Sequence, residues 1–277
     1  LVRRYILFEN RALPKIKMKF LLTICLLLIA TAGTASAQRQ FVGGGRSAVG
    51  SKETRSSLLS RAQTRDAERR LAEMGYWTGA VDGILDTATR SALIAFQKYE
   101  GRPITGQLTL AELEAMRASA GPTAREAGYA HVEVDLDRQV LLMVNEAGGV
   151  RLLPISTGNE QPFADEGQMS VAHTPRGRFL IYEKVIGWET GRNSSMYYSN
   201  YISGGVAIHG YPSVPVQPAS HGCIRIPIFA AREVSRLLPV GTIVLVYDKI
   251  SFVSGKPWAK NPSLKEAILD WNRAVGN

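Results

Sequence analysis

The apolar residues of this chain repeat at two different periods. The change between them, close to residue 129, restricts the chain to a helical part followed by a part built from strands. Before the change, Leu71 and Met74 share one face of a first helical segment, and Leu93 and Phe96 share one face of a second. A third segment opens on Thr109 and Glu112, a capping-box pair, and keeps Leu110, Leu113 and Met116 on one side. Turn chemistry at Gly75-Tyr76-Trp77-Thr78-Gly79 and at Asp82-Gly83 separates the first two segments. After the change, Val132, Val134 and Leu136 alternate with polar residues, and Asp137-Arg138 can turn. Val140 to Val144 returns as an apolar run, and Gly148-Gly149 turns towards Val150 to Ser156. Further strand-like runs cover Phe179 to Ile186, Val206 to Ile208 and Thr242 to Tyr247. One helix is expected from Pro227 to Leu238, with Pro in its first turn and Gly241 beyond its end. The expected fold class is multidomain α and β: a small three-helix N-terminal domain, then a mainly β, sandwich-like domain with one helix.

The ends of the chain read differently. Met18-Lys19-Phe20, the apolar stretch Leu21 to Ala30 and the small residues ending in Ala35-Ser36-Ala37 have the layout of a secretory signal. Residues 1–17 then lie upstream of a start at Met18. The apolar stretch is too short for a permanent span, and Ile24 before Cys25 argues against lipidation. The formal charge of +9 lies largely in this segment. Without residues 1–37 the chain carries 27 basic and 23 acidic residues, with no basic run of the kind nucleic acid requires. An exported protein of the periplasm or cell wall is expected, with no nucleic-acid partner and no membrane span after cleavage. The remaining organisation reads as a Gly-rich tether at 38–57, a helical domain at 58–119, a linker at 120–128 around Gly121-Pro122, a second domain at 129–248, and a tail at 249–277 with a short helix from Leu264 to Trp271.

Signal removal takes Cys25 away and leaves Cys223 as a lone thiol in an oxidising compartment. Such a cysteine is a buried inert residue, an intermolecular bridge or a reactive thiol. Its surroundings are informative, because Ser220-His221-Gly222-Cys223-Ile224-Arg225 gathers a thiol, an imidazole, a permissive backbone position and a cation. A thiol becomes a nucleophile when nearby positive charge or a base favours its thiolate. Upstream, His209-Gly210 ends a strand-like run, where an imidazole can face the thiol loop.

The combination of His209-Gly210, a Ser- and Pro-containing loop and Ser220-His221-Gly222-Cys223-Ile224-Arg225 resembles the signature of the L,D-transpeptidase catalytic-domain family. Thr174-Pro175-Arg176-Gly177 with Phe179 resembles its upstream turn and strand. The resemblance spans Tyr129 to Asp248 and implies Cys223 as nucleophile and His209 as base and later acid. It places His221, Gly222 and Gly210 in support of the oxyanion and the loop, with Ser220, Tyr198 and Arg225 as substrate contacts. Arg225 stands where some members carry Asn, and either holds a substrate carboxylate or braces the loop. The implied reaction is two-step acyl transfer between peptidoglycan stem peptides, with a thioester intermediate and release of D-alanine. Attack by water would make the chain an L,D-carboxypeptidase. A ligase joining a protein amine to the wall and a non-catalytic wall-binding scaffold are the other readings, and susceptibility to carbapenems at Cys223 is implied as well.

The helical part, with Gly75-Tyr76-Trp77, Val81-Asp82-Gly83-Ile84, Ala88-Thr89, Ala95-Phe96-Gln97 and Pro103-Ile104-Thr105-Gly106, resembles the peptidoglycan-binding domain family. Asp86 departs from its pattern. The resemblance implies peptidoglycan as partner, stem peptides and glycan strands together, with Tyr76, Trp77 and Asp82 as candidate wall contacts. For the aromatic residues a core position is the competing reading.

His131 and His173 read as hydrogen-bonded structural residues. His209, His221 and Cys223 are metal-ligand types, but no fourth ligand or paired-cysteine spacing supports zinc, and neither a metal nor a cofactor is expected. Trp188, Tyr197, Tyr198 and Tyr201 form an aromatic stretch that reads as a substrate lid or a packed Ω-type loop.

Overall fold

A computed structural model of the chain describes residues 59–165, 167–190 and 195–250. The expected signal, the tether up to residue 57 and the tail helix from Leu264 lie outside the described residues.

Three helices come first: α1 (Arg61–Glu73), α2 (Thr87–Tyr99) and α3 (Leu110–Ala118). Their caps differ from the expectation. The reciprocal capping box belongs to α1, where Ser60 Oγ accepts from the Gln63 amide at 3.3 Å and Gln63 Oε1 accepts from the Ser60 amide at 2.9 Å. At α3, Thr109 does accept from the Glu112 amide at 3.2 Å, but the Glu112 carboxylate turns to Arg102, taking Nε at 3.0 Å and Nη2 at 3.1 Å. A bidentate charge-assisted pair outcompetes a single backbone amide there. Asp86, the departure from the family pattern, caps α2 by accepting from the Thr89 amide at 2.7 Å.

The strands follow in the order β1 (His131–Asp135), β2 (Val140–Val144), β3 (Val150–Pro154), β4 (Pro162–Asp165), β5 (Gln168–Val171), β6 (Gly177–Leu180), β7 (Glu183–Lys184), β8 (Trp188–Thr190), β9 (Ser195–Ser203), β10 (Val206–Tyr211) and β11 (Ile224–Pro227). Helix α4 (Ile228–Leu237) and β12 (Ile243–Tyr247) complete them. One sheet runs β3-β2-β1-β12-β6, and a second runs β11-β10-β9-β7 with β8 also on β9; β4 and β5 form a separate hairpin. The pairs β1–β12 and β10–β11 are parallel and the other pairs antiparallel. The run expected as one strand from Phe179 to Ile186 divides into β6 and β7 and passes from one sheet to the other. Pro227 stands just before α4, as its N-cap, instead of within its first turn.

Side-chain alternation explains the layering. Val132, Val134, Leu141, Leu153, Val244 and Val246 of the first sheet meet Ile202, Ile208, Ile224 and Ile226 of the second, with Ala230, Ala231 and Val234 of α4 closing the core. The opposite face of β2 and β3, carrying Val140, Leu142, Val144 and Leu152, packs on Ala67, Leu71, Leu93, Phe96, Leu113 and Met116 of the helices. This is why Val140 to Val144 is apolar at every position: the strand is buried on both faces. The helices therefore share a core with the sheet.

The segment Gly75-Tyr76-Trp77 forms the seam. The Trp77 amide donates to the Leu152 carbonyl at 3.1 Å and the Leu152 amide to the Gly75 carbonyl at 2.9 Å, extending the first sheet beyond β3. Gly75 is required at this point, since its φ is +91° and a Cβ would lie 2.0 Å from the Val150 carbonyl oxygen. Lys98 crosses the same seam, its ammonium donating to the carbonyls of Gln139 at 3.2 Å and Ile155 at 2.8 Å, and burial lowers its pKa to about 7.

Candidate active site

Strands β10 and β11 lie side by side in parallel, with Ile208 opposite Ile224 and His209 opposite Arg225. Ile208 and Ile224 point into the core. Alternation turns His209 and Arg225 to the other face, and Cys223, the residue before β11, belongs with them.

The Cys223 loop is strapped from several directions. Ser220 Oγ donates to the Cys223 carbonyl at 2.6 Å and accepts from the Gly222 amide at 3.0 Å. Thr174 Oγ1 donates to the Gly222 carbonyl at 2.7 Å and accepts from the Gly158 amide at 2.9 Å. The amides of Ala219 and Ser220 both donate to the Thr157 carbonyl, and Ser156 and Arg225 exchange backbone hydrogen bonds. Gly222 has φ +142°, and a Cβ would meet the His173 carbonyl oxygen at 2.7 Å. A larger residue would push the thiol loop off Thr174 and His173.

His209 is 1% exposed. Its position follows from an irregularity in the sheet, for Ile208 pairs with Asn200 and Gly210 with Tyr197, which leaves Tyr198 and Ser199 opposite His209 alone. That is a β-bulge, and Tyr198 takes the left-handed backbone it demands, at φ +53°. The Asn200 side-chain amide donates to the Tyr198 carbonyl at 2.9 Å and the Ile208 carbonyl at 3.1 Å, pinning both strands. His209 Nδ1 faces the Gly210 carbonyl at 3.0 Å. A carbonyl can only accept, so Nδ1 carries the proton and Nε2 holds the lone pair. Burial lowers the His209 pKa to about 4, with the Arg225 cation acting in the same direction and the Gly210 hydrogen bond against it. The ring is a neutral base near pH 7.

Cys223 is half-buried, and its thiol donates to the Gly205 carbonyl at 3.5 Å. Burial raises its pKa, the Ala207 amide and the Arg225 cation lower it, and the Glu189 carboxylate raises it. Thiol and imidazole are thus both neutral at rest, instead of forming a preformed ion pair.

The other expected site residues divide. Arg225 lies over the Tyr211 ring, 4.2 Å from its centre, and its Nη1 donates to the Ala219 carbonyl at 3.1 Å. Its Nε is buried with no hydrogen-bond partner among the described residues. Ser220 is a loop brace, buried to 2% exposure. His221 is exposed and packs on Phe163 of the β4–β5 hairpin with ring centres 4.4 Å apart. The Gly222 amide, expected to face an oxyanion, is committed to Ser220. Gly210 supplies the carbonyl that orients His209 and lies against α4, where a Cβ would be 2.5 Å from that of Ala231. Tyr198 forms the bulge and packs partly buried on the core. The stretch expected as a lid or Ω-type loop is the β8–β9 pair of the His209 sheet. Sequence reasoning passed over Glu189, Thr174 and Asn200 at this site, although Thr174 lay within a motif it had noticed.

The candidate wall contacts also divide. Tyr76 and Trp77 are 3% and 7% exposed, so both are interior residues at the seam. Tyr76 meets Phe96 edge to face at 5.8 Å, and Arg151 covers the Trp77 ring at 3.8 Å. An aromatic pair in a helix–sheet core is not available to a polymer at the surface. Asp82 is partly exposed, with Oδ1 accepting from the Ile84 amide at 2.9 Å, and its carbonyl takes hydrogen bonds from Arg61 and Arg65. His131, hydrogen-bonded to Glu133 at 3.0 Å and the Tyr129 carbonyl at 2.9 Å, holds a structural position, as does His173 against Glu160 at 2.8 Å. Among the described residues no three His, Cys, Asp or Glu side chains gather to hold a metal ion, and no helix is long and apolar enough to cross a membrane.

Comparison with known proteins agrees with this architecture. The L,D-transpeptidase catalytic-domain family matches residues 129–246, and the peptidoglycan-binding domain family matches residues 60–116. Among solved structures, an L,D-transpeptidase from Xylanimonas cellulosilytica is 34% identical, with 67% of this chain and 93% of that one covered and a TM-score of 0.62. An L,D-transpeptidase from Stackebrandtia nassauensis is 21% identical over 70% of this chain and 93% of that one, with a TM-score of 0.40. No curated protein matches. With a helical unit and a two-sheet catalytic unit each matching its family, and a relative similar across nearly its whole length, this chain belongs to the L,D-transpeptidases and carries an N-terminal peptidoglycan-binding domain.

Proposed function

We propose that this chain is an exported, cysteine-dependent L,D-transpeptidase that joins peptidoglycan stem peptides through a thioester on Cys223 and releases D-alanine. The observation that carries this reading is the 3.0 Å contact of His209 Nδ1 with the Gly210 carbonyl on the Cys223 side of the sheet, which favours the proton on Nδ1 and a neutral lone pair on Nε2. In the first half-reaction the thiol proton passes to Nε2 as sulfur attacks the carbonyl carbon of the third stem residue. The carbon–nitrogen bond to D-alanine breaks, and the proton on Nε2 goes to the departing amine. In the second, an acceptor amine forms the new amide bond, the carbon–sulfur bond breaks with its electron pair on sulfur, and the amine's proton returns through His209 to the thiol. The neutral resting pair suits this cycle because the proton moves only when substrate arrives. Arg225 contributes positive charge beside the sulfur and the developing oxyanion. The helical domain supplies wall affinity, with Asp82 among its surface contacts.

Purified protein incubated with tetrapeptide muropeptides and followed by mass spectrometry tests the proposal. Cross-linked dimers lacking one D-alanine, formed by the intact chain and absent with Cys223→Ala, are expected. Tripeptide monomers alone would convert the assignment to an L,D-carboxypeptidase, and no change with folded protein would overturn it.

A further inference from the structure

Resting on the acyl-transfer reading, a second charged group beside the thiol bears on which nucleophile takes the acyl group. Glu189 lies between two exposed neighbours, Trp188 and Thr190, and is itself half-buried. The Tyr201 hydroxyl donates to its Oε1 at 3.1 Å. Among the described residues no cation pairs with it. It faces a cavity of about 710 Å³ that Trp188, Tyr211 and Ser213 also line. Tyr211 in turn lies under the Arg225 guanidinium. Tyr201 stands opposite Ala207 across the β9–β10 pair, and the Cys223 thiol donates to the carbonyl of Gly205, two residues before Ala207, so the surroundings of Cys223 carry a positive group that Tyr211 seats and a negative group that Tyr201 seats.

A free amine is mostly ammonium at neutral pH. Arg225 repels such an acceptor, and a carboxylate in a partly desolvated setting attracts it. The same carboxylate weakly disfavours the Cys223 thiolate, so it gives no help to the first half-reaction. We propose that Glu189, steadied by Tyr201, receives the ammonium group of the acceptor and so selects an amine over water at the thioester. The ammonium gives one proton to the Glu189 carboxylate, which later releases it to water. The freed nitrogen lone pair forms the amide bond, the carbon–sulfur bond breaks, and the second proton passes through His209 to sulfur.

The test measures how the acyl-enzyme divides between amide product and hydrolysed tripeptide, normalised to the acyl-enzyme formed, in the intact chain, in Glu189→Gln and in Tyr201→Phe. Each is given an amino-acid amine, cationic at neutral pH, and in parallel hydroxylamine, which is largely uncharged there. Glu189→Gln should raise the concentration of cationic amine needed for equal division on the order of tenfold, the scale of one charge-assisted hydrogen bond. It should leave the hydroxylamine value within about twofold. Tyr201→Phe should shift the cationic amine in the same direction by a smaller factor. Equal shifts for both nucleophiles, or no shift for either, would overturn the role of Glu189 while leaving acyl transfer in place. Absence of any acyl-enzyme in the intact chain would remove both.

Discussion

The chemistry at the residue scale is set by burial more than by charge. Cys223 has a cation nearby, yet desolvation dominates and holds the thiol above its ordinary pKa. Alkylation by iodoacetamide should therefore rise with pH along a curve displaced upward from that of a free cysteine. Arg225→Met should displace it further and Glu189→Gln should bring it back down; rate measurements against pH check all three. His209 makes a second prediction. Its pKa is about 4 in the folded chain and near 6.5 when unfolded, so between those values the unfolded chain binds the extra proton. The stability this contributes is complete above about pH 6.5 and is lost as pH falls towards 4, by an amount on the order of 3 kcal/mol. Urea denaturation at a series of pH values should show that slope and should show it flattened in His209→Gln. The motif that holds Cys223 and His209 was legible in the sequence because it is short and local. Their protonation states were not, because desolvation depends on what the rest of the chain folds over them.

At the scale of elements, the site depends on how β9, β10, β11 and α4 fit together. Gly210 is the tightest point, against both Ala231 of α4 and the Tyr197 carbonyl of β9. Gly210→Ala should force α4 away from β10, at a cost of about 1–3 kcal/mol, and should move the carbonyl that fixes the His209 tautomer. Acyl-enzyme formation measured by intact-protein mass spectrometry should slow by at least about tenfold, more than the change in stability alone would explain at a temperature where the variant remains folded. Strands with clean alternation or continuous apolar runs, such as β1, β2 and β12, were legible in the sequence. The Tyr197 to Tyr201 stretch was not, because it reads as aromatic and polar without a period. The bulge opposite His209 interrupts its alternation, and a bulge is visible only once its partner strand is present. Likewise, the Thr109 and Glu112 pair predicted a reciprocal cap, whereas Arg102, ten residues away, captured the carboxylate.

For the whole molecule, the helical and β parts share a core, because β2 is buried on both faces and Leu152 of β3 packs on the helices. Removing the helices would expose Val140, Leu142, Val144 and Leu152 to water. Calorimetry should accordingly give a single unfolding transition for the 59–250 body. Trp77→Ala should destabilise it by about 3–5 kcal/mol and lower the stability of helices and sheets together, read from circular dichroism at helix and aromatic wavelengths. Two separated transitions would contradict the shared core. The fold class and the order of the two parts followed from periodicity, and the family of each part from the resemblance of short motifs, both of which depend on neighbours along the chain. Tertiary structure decided that Tyr76 and Trp77 seal a seam instead of meeting solvent, that the Ser220 hydroxyl is held between the Gly222 amide and the Cys223 carbonyl, and that Tyr201 holds the Glu189 carboxylate. Each of these turns on contacts that form only on folding, and burial, which sets both exposure and pKa, exists only after segments far apart in sequence have met.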